Sequence, residues 1–193
     1  MNKETPYNKE KIKQRLAVSG EHIVYRYGKD QVIKFPYGPI HLVDKRDSLN
    51  KIKSETPLIK KYFSDFIVAY EILFYQKNKQ KTYCIIQDFV KGRSLKLKDK
   101  KNPQIKAQLK KLIKANEKMA RQTGYVFEFF GIKNLFFHFI FKGMDNVFIV
   151  KDKIKLIDHG LISSQTKITR SFILRLFIRW AIKRQKKLLN YYK

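Results

Sequence analysis

Apolar and polar positions along the chain change period several times, and each change marks an element. Two apolar runs, Val147 to Val150 and Ile154 to Ile157, flank the polar trio Lys151, Asp152 and Lys153. This is the pattern of two strands joined by a short hairpin loop. With Asp152 as the centre, Asn146 before the first strand falls level with Asp158 after the second. A second hairpin is predicted from Ile23 to Phe35, with strands at Ile23 to Tyr27 and Gln31 to Phe35 around a turn at Gly28 to Asp30. Asp47 to Phe63 has helical spacing at Leu49, Ile52 and Ile59, with Asp47 or Ser48 as cap. Pro57 interrupts it, so the segment reads as a kinked helix or as two short ones. Tyr83 to Gln87 reads as a buried strand continuing through Asp88 and Val90 to a turn at Gly92.

Asn102 and Pro103 form a helix start, and Ile105, Leu109, Leu112, Ile113 and Met119 share one helical face that ends at Gly124. The aromatic stretch Tyr125 to Phe141 has no clean period, and its Phe residues are expected in the core. From Thr169 onward a basic helix carries a broad apolar face, with Phe172, Leu176, Phe177 and Trp180 beside Arg175, Arg179 and Lys183. Two readings fit that tail: docking on its own domain, or contact with an anionic membrane. The first residues to about Arg15 read as a polar, basic lead-in.

Composition narrows the classes. A chain of 193 residues with 44% hydrophobic and 14% aromatic positions suits one domain with a real core, not a disordered segment. One cysteine, Cys84, excludes an intramolecular disulfide framework and a cysteine-cluster zinc site. The polar start predicts no signal peptide, and no apolar run approaches the ~20 residues of a spanning helix. A cytoplasmic protein is therefore expected, with peripheral contact at the inner face of a membrane through the tail as a sharper alternative. The net charge of +27 suits a polyanionic partner. The lysines, however, are dispersed, the Lys, Asn, Ile, Phe and Tyr content also fits an AT-rich genome, and no specific nucleic-acid motif is present.

Three residues carry candidate chemistry. Asn146 and Asp158 at one end of a hairpin are hard oxygen ligands suited to Mg²⁺ held against phosphates, or simply the polar ends of an ordinary hairpin. Lys34 interrupts an apolar strand, where a charge needs an anionic partner or a route to water.

In order along the chain, these landmarks resemble the protein-kinase-like superfamily from about Leu16 to Leu161. "VIK" at Val32 to Lys34 is similar to the strand motif whose lysine grips nucleotide phosphates; "IIQDFVKGRSL" at Ile85 to Leu95 resembles the hinge between lobes. "DNVFIVKDKIKLIDHG" at Asp145 to Gly160 resembles the stretch from the catalytic-loop asparagine to the D-F-G motif, written here as Asp158, His159 and Gly160. The resemblance implies an α+β, two-lobed fold with a minimal C-terminal lobe, the lobes covering about 16–90 and 91–193. It implies ATP and Mg²⁺ as cofactors, with Lys34 on the phosphates, Glu55 as its helix carboxylate, and Asn146 and Asp158 on the metal. Gly20, Val24, Asp88 and Val90 would line the nucleotide.

The departures shape the functional expectation. The segment that should be glycine-rich offers only Gly20, and Phe141 stands five residues before Asn146, where the pattern has its catalytic aspartate. Asp145 adjoins Asn146 in an unsuitable register, which leaves Glu128 as the carboxylate for the base. Little chain follows Gly160, which argues against a conventional peptide acceptor. The expected activity is ATP-dependent phosphoryl transfer to an unidentified hydroxyl acceptor, a membrane-surface glycolipid or a protein. The glycolipid is suggested by similarity to compact bacterial kinases of lipopolysaccharide core sugars. The alternative is a catalytically silent, pseudokinase-like module that binds nucleotide or a partner.

Overall fold

The computed structural model describes residues 5–18, 21–37, 48–158, 160–163 and 172–193. Gly20, His159 and the Asp47 cap lie outside them. The chain is α+β, built from antiparallel sheets and helices, and divides into two compact units. The first comprises Met1–Lys53 and Val68–Phe89, and the second Ser54–Ile67 and Val90–Lys193.

In the first unit five strands form an antiparallel sheet in the order β1-β2-β3-β5-β4. They are β1 (Ile12–Val18), β2 (His22–Tyr27), β3 (Gln31–Pro36), β4 (Tyr70–Lys77) and β5 (Gln80–Asp88). Strand β5 is covered on both faces. Cys84 and Ile86 of β5 join Tyr27 and Ile33 in one apolar cluster, which Tyr7 and Tyr75 complete. Tyr83 and Ile85 point the other way and meet Leu49 and Ile52 from the start of helix α1 (Ser48–Phe63). A strand buried on both faces reads as a continuous apolar run, which is why "YCII" shows no alternation. Burial and nearby Glu71 push the Cys84 thiol up to about 12, so this lone cysteine stays protonated.

Two strands of this sheet were hidden in the sequence. β1 lies at an edge with nearly every side chain exposed, so it lacks the apolar alternation that marks a strand, and the predicted polar lead-in, which ends at about Arg15, takes in its first half. β4 turns into β5 through Asn78 and Lys79, both at positive φ (50° and 64°). That geometry suits a two-residue hairpin turn, but the glycine that usually advertises it is missing. Pro57 does not split α1, which runs unbroken through it.

The second unit carries a three-stranded sheet ordered β6-β8-β9, formed by β6 (Arg93–Lys96), β8 (Gly143–Val150) and β9 (Lys153–Leu156). A separate pair joins β7 (Tyr125–Phe127) to β10 (Leu161–Ser163). Helix α2 (Pro103–Thr123) starts at Asn102, whose side chain accepts from the N–H groups of Gln104 and Ile105. It ends at Gly124, whose φ of 73° is the left-handed cap conformation that glycine adopts without strain. The predicted stripe of Ile105, Leu109, Leu112, Ile113 and Met119 is buried as expected. It packs with Ile59 and Phe63 of α1 and with Val147, Ile154 and Leu156 of the hairpin.

Helix α3 (Ile132–Phe141) and helix α4 (Phe172–Leu189) complete the unit. The core expectation for the aromatic stretch holds for Phe127, Phe129 and Phe130, but Phe136, Phe137 and Phe139 are exposed. The reason is local: the first three lie in and just after the short buried strand β7, whereas the others project from α3.

The end of α4 docks through Ala181, Gln185 and Leu188. Gln185 is the fastener, because its Oε1 accepts from Phe129 N–H (3.0 Å) while its Nε2 donates to the Phe127 carbonyl (2.8 Å). Gln185→Leu keeps the bulk but orphans both backbone groups. Urea denaturation should show a loss of about 1–3 kcal/mol.

His138 of α3 is buried, and its Nε2 lies 3.5 Å from the Tyr192 hydroxyl. Burial, followed by the Arg184 and Lys142 charges, holds its imidazole below the ordinary 6.5. The unfolded chain then binds more protons than the folded one in the window below 6.5, so this contribution is complete above that value and is lost as pH falls through the window. The melting temperature should drop on acidification from about pH 7.5 to about pH 5.5, and His138→Gln should shallow that drop.

Candidate functional site

The hairpin that first suggested a metal site is formed, but its centre differs from the expected one. Val150 pairs with Lys153, Ile149 with Ile154 and Val147 with Leu156, so the turn has two residues, Lys151 and Asp152. Both have positive φ (46° and 60°), the conformation of a tight hairpin turn. The symmetry centre falls between them and not on Asp152. Asn146 is consequently level with Ile157, whose N–H donates to the Asn146 carbonyl at 3.2 Å. Asp158 follows one residue later.

Asn146 is held firmly. Its Nδ2 donates to the Glu128 carbonyl at 2.7 Å, and its N–H donates to the Phe129 carbonyl at 3.3 Å. Because the amide nitrogen is bound to Glu128, the amide oxygen is turned away from it. Glu128 in turn donates its N–H to the Gly160 carbonyl at 3.1 Å. Its carboxylate lies over Gly160: a Cβ added there would stand 3.3 Å from Glu128 Oε2. Glu55 also reaches this segment, for its Oε2 accepts from Leu161 N–H at 3.4 Å while the side chain is 1% exposed. Within the second unit Glu128 and Glu55 therefore bond the short segment after Asp158, at Gly160 and Leu161, and Asn146 is tied to it through the Glu128 main chain.

Asp145 serves a different purpose. Its Oδ1 accepts from Asn134 Nδ2 at 2.7 Å, and Asn134 Oδ1 accepts from Gly143 N–H at 3.2 Å. Gly131 has no room for a side chain, because an added Cβ would collide with the Asp145 carboxylate. Asp145 is a tie between α3 and β8.

In the first unit, Lys34 lies in β3, directly between Val24 of β2 and Ile85 of β5. It is only 6% exposed, so its charge needs an anion or carboxylate to offset desolvation. In the same unit, Lys51 of α1 is also buried and makes an ion pair with Glu21 at 3.0 Å. Sequence reasoning missed this pair because neither residue sits in a recognisable motif. Asp88 ends β5 and donates its N–H to the Ala69 carbonyl, while Val90 opens the long stretch of the second unit. A groove lined by Leu49, Lys53, Phe74, Tyr75, Lys81 and Thr82 includes none of the candidate residues.

The donor set suits a hard divalent cation only in part. Among the described residues no group of three or more His, Cys, Asp or Glu is placed to hold a metal. Asn146 and Asp158 supply two oxygen-bearing side chains, which fits Mg²⁺, an ion that keeps waters and takes further oxygens from phosphate. The chain matches no family model and no curated protein.

Asn146→Asp tests the anchoring of the site. A carboxylate cannot donate to the Glu128 carbonyl, so the substitution should cost about 1–3 kcal/mol in urea denaturation.

Proposed function

We propose that the chain is a kinase-like, ATP-dependent phosphotransferase acting on a hydroxyl acceptor. The observation that carries this reading is the main-chain chain of contacts in the second unit, in which Asn146 bonds the Glu128 carbonyl and Glu128 N–H bonds Gly160. It supports a metal ligand and a carboxylate base held next to each other on one rigid frame, although Phe141 occupies the usual base position.

On this reading the fold is a two-lobed protein-kinase-like one. Lys34 holds phosphate oxygens, Asn146 Oδ1 and the Asp158 carboxylate take the metal, and Glu128 accepts the proton of the attacking hydroxyl. Mg²⁺, when bound, neutralises the phosphate charge that develops during transfer. Glu55 fixes the Leu161 end of the Asp158 segment and so positions Asp158. The acceptor is a membrane-surface glycolipid or a protein hydroxyl, and the protein works in the cytoplasm.

Saturating Mg·ATP is expected to raise the melting temperature by roughly 5–10 °C, the effect of about 2.7 kcal/mol at 100 times the dissociation constant on a domain this size. Asp158→Ala should abolish the magnesium-dependent part. Absence of any rise in the parent would remove the nucleotide site. Glu128→Gln should keep the rise, because Asn146 bonds the Glu128 main chain, and should lower ADP release about 100-fold or more if Glu128 is the base. A rise without turnover in the parent would instead identify a silent nucleotide-binding module.

A further inference from the structure

The second unit displays an apolar surface that its own core does not use. Among the described residues of helix α4 the buried ones, Ala181, Gln185, Leu188 and Leu189, lie in its C-terminal half; toward its start, Phe172 is 71% exposed, and Leu176 and Trp180 follow it at intervals of four on the same helical row. Helix α3 adds Phe139 at 69% and Ile140 at 60% exposure. The two helices share one aromatic plate: Phe136 lies 4.7 Å from Trp180 and 6.2 Å from Phe177, nearly parallel to the latter at 19°. Phe177 and Trp180 are themselves 5.6 Å apart.

Charge says what this plate faces. Arg175, Arg179 and Lys183 form a row one residue removed from the Phe172, Leu176 and Trp180 row, so cations border the apolar stripe along its length. Neither α3 nor α4 contains an aspartate or glutamate, and none occurs from His159 to Lys193. A second copy would bring two such cationic borders together, with +27 on each chain. Nucleic acid would meet the cations but leave the protruding Phe139 and Ile140 against solvent. An anionic bilayer satisfies both: Phe, Ile and Trp enter the boundary of headgroups and acyl chains while Arg and Lys reach the phosphates. No helix among the described residues is long and apolar enough to cross a membrane, so the contact would lie in the interface plane.

We infer that the exposed faces of α3 and the first half of α4 form a docking surface for an anionic lipid bilayer. This goes beyond the nucleotide reading and does not depend on it.

Trp180 is the chain's single tryptophan and sits in the plate, so the full-length protein reports on its own docking. Its emission is followed during titration with vesicles of equal parts phosphatidylglycerol and phosphatidylcholine, and with vesicles of phosphatidylcholine alone, alongside co-sedimentation. The expected result is a blue shift and sedimentation with the anionic vesicles, with apparent affinity at least about tenfold weaker for the neutral ones. Phe139→Ser with Ile140→Ser should weaken anionic binding about tenfold while circular dichroism stays unchanged. If that variant does not fold, Arg179→Glu with Lys183→Glu replaces it with the same expectation. No shift and no sedimentation overturns the inference, as does full binding by the folded variants. A dimer that dissociates in the Phe139 and Ile140 variant, without vesicle binding by the parent, would assign the face to a second copy.

Discussion

Every backbone polar group from Phe127 to Phe129 is bonded, and mostly by groups from distant parts of the chain. Asn116 Oδ1 takes the Phe127 N–H, Gln185 takes the Phe127 carbonyl and the Phe129 N–H, and Asn146 takes the carbonyls of Glu128 and Phe129. The remaining N–H, that of Glu128, goes to Gly160. Phe127 and Phe129 are fully buried, so unbonded amides here would each cost desolvation energy. Three primary amides, from α2, β8 and α4, thus convert a strand end with little ladder of its own into the fixed centre of the second unit. The candidate chemistry hangs from that centre.

This explains what could and could not be read in the sequence. Helix α2 was legible from Asn102 to Gly124 because its cap, period and terminator all agree locally. The residue types of the candidate site were also legible, since Lys34 interrupts an apolar strand and Asn146 and Asp158 bound two apolar runs. Their setting was not. Asn116 and Gln185 look like ordinary solvent-facing helix residues until the partners 11 and 58 positions away are known. The hairpin shows the same limit on a smaller scale: the trio Lys151, Asp152 and Lys153 suggested a loop centred on a residue, whereas two residues at positive φ suffice and move Asn146 opposite Ile157.

The aromatic residues divide by the same logic. Phe127 and Phe129 alternate with Glu128 across a strand end and enter the core, while Phe136, Phe137 and Phe139 belong to a helix whose inward side is already served by Leu135 and His138. Composition alone assigned both groups to the interior. Only the backbone period separates those that stabilise the unit from those that face outward with Trp180.

The solitary thiol has a practical corollary. Cys84 is sealed in the β5 layer between Ile33 and Tyr27, with its proton held to about pH 12. Maleimide reagents act on accessible thiolates, so the native chain is in effect cysteine-free at neutral pH. A cysteine installed at any exposed position would be the sole attachment point for a spin label or fluorophore, with no need to engineer the original one away.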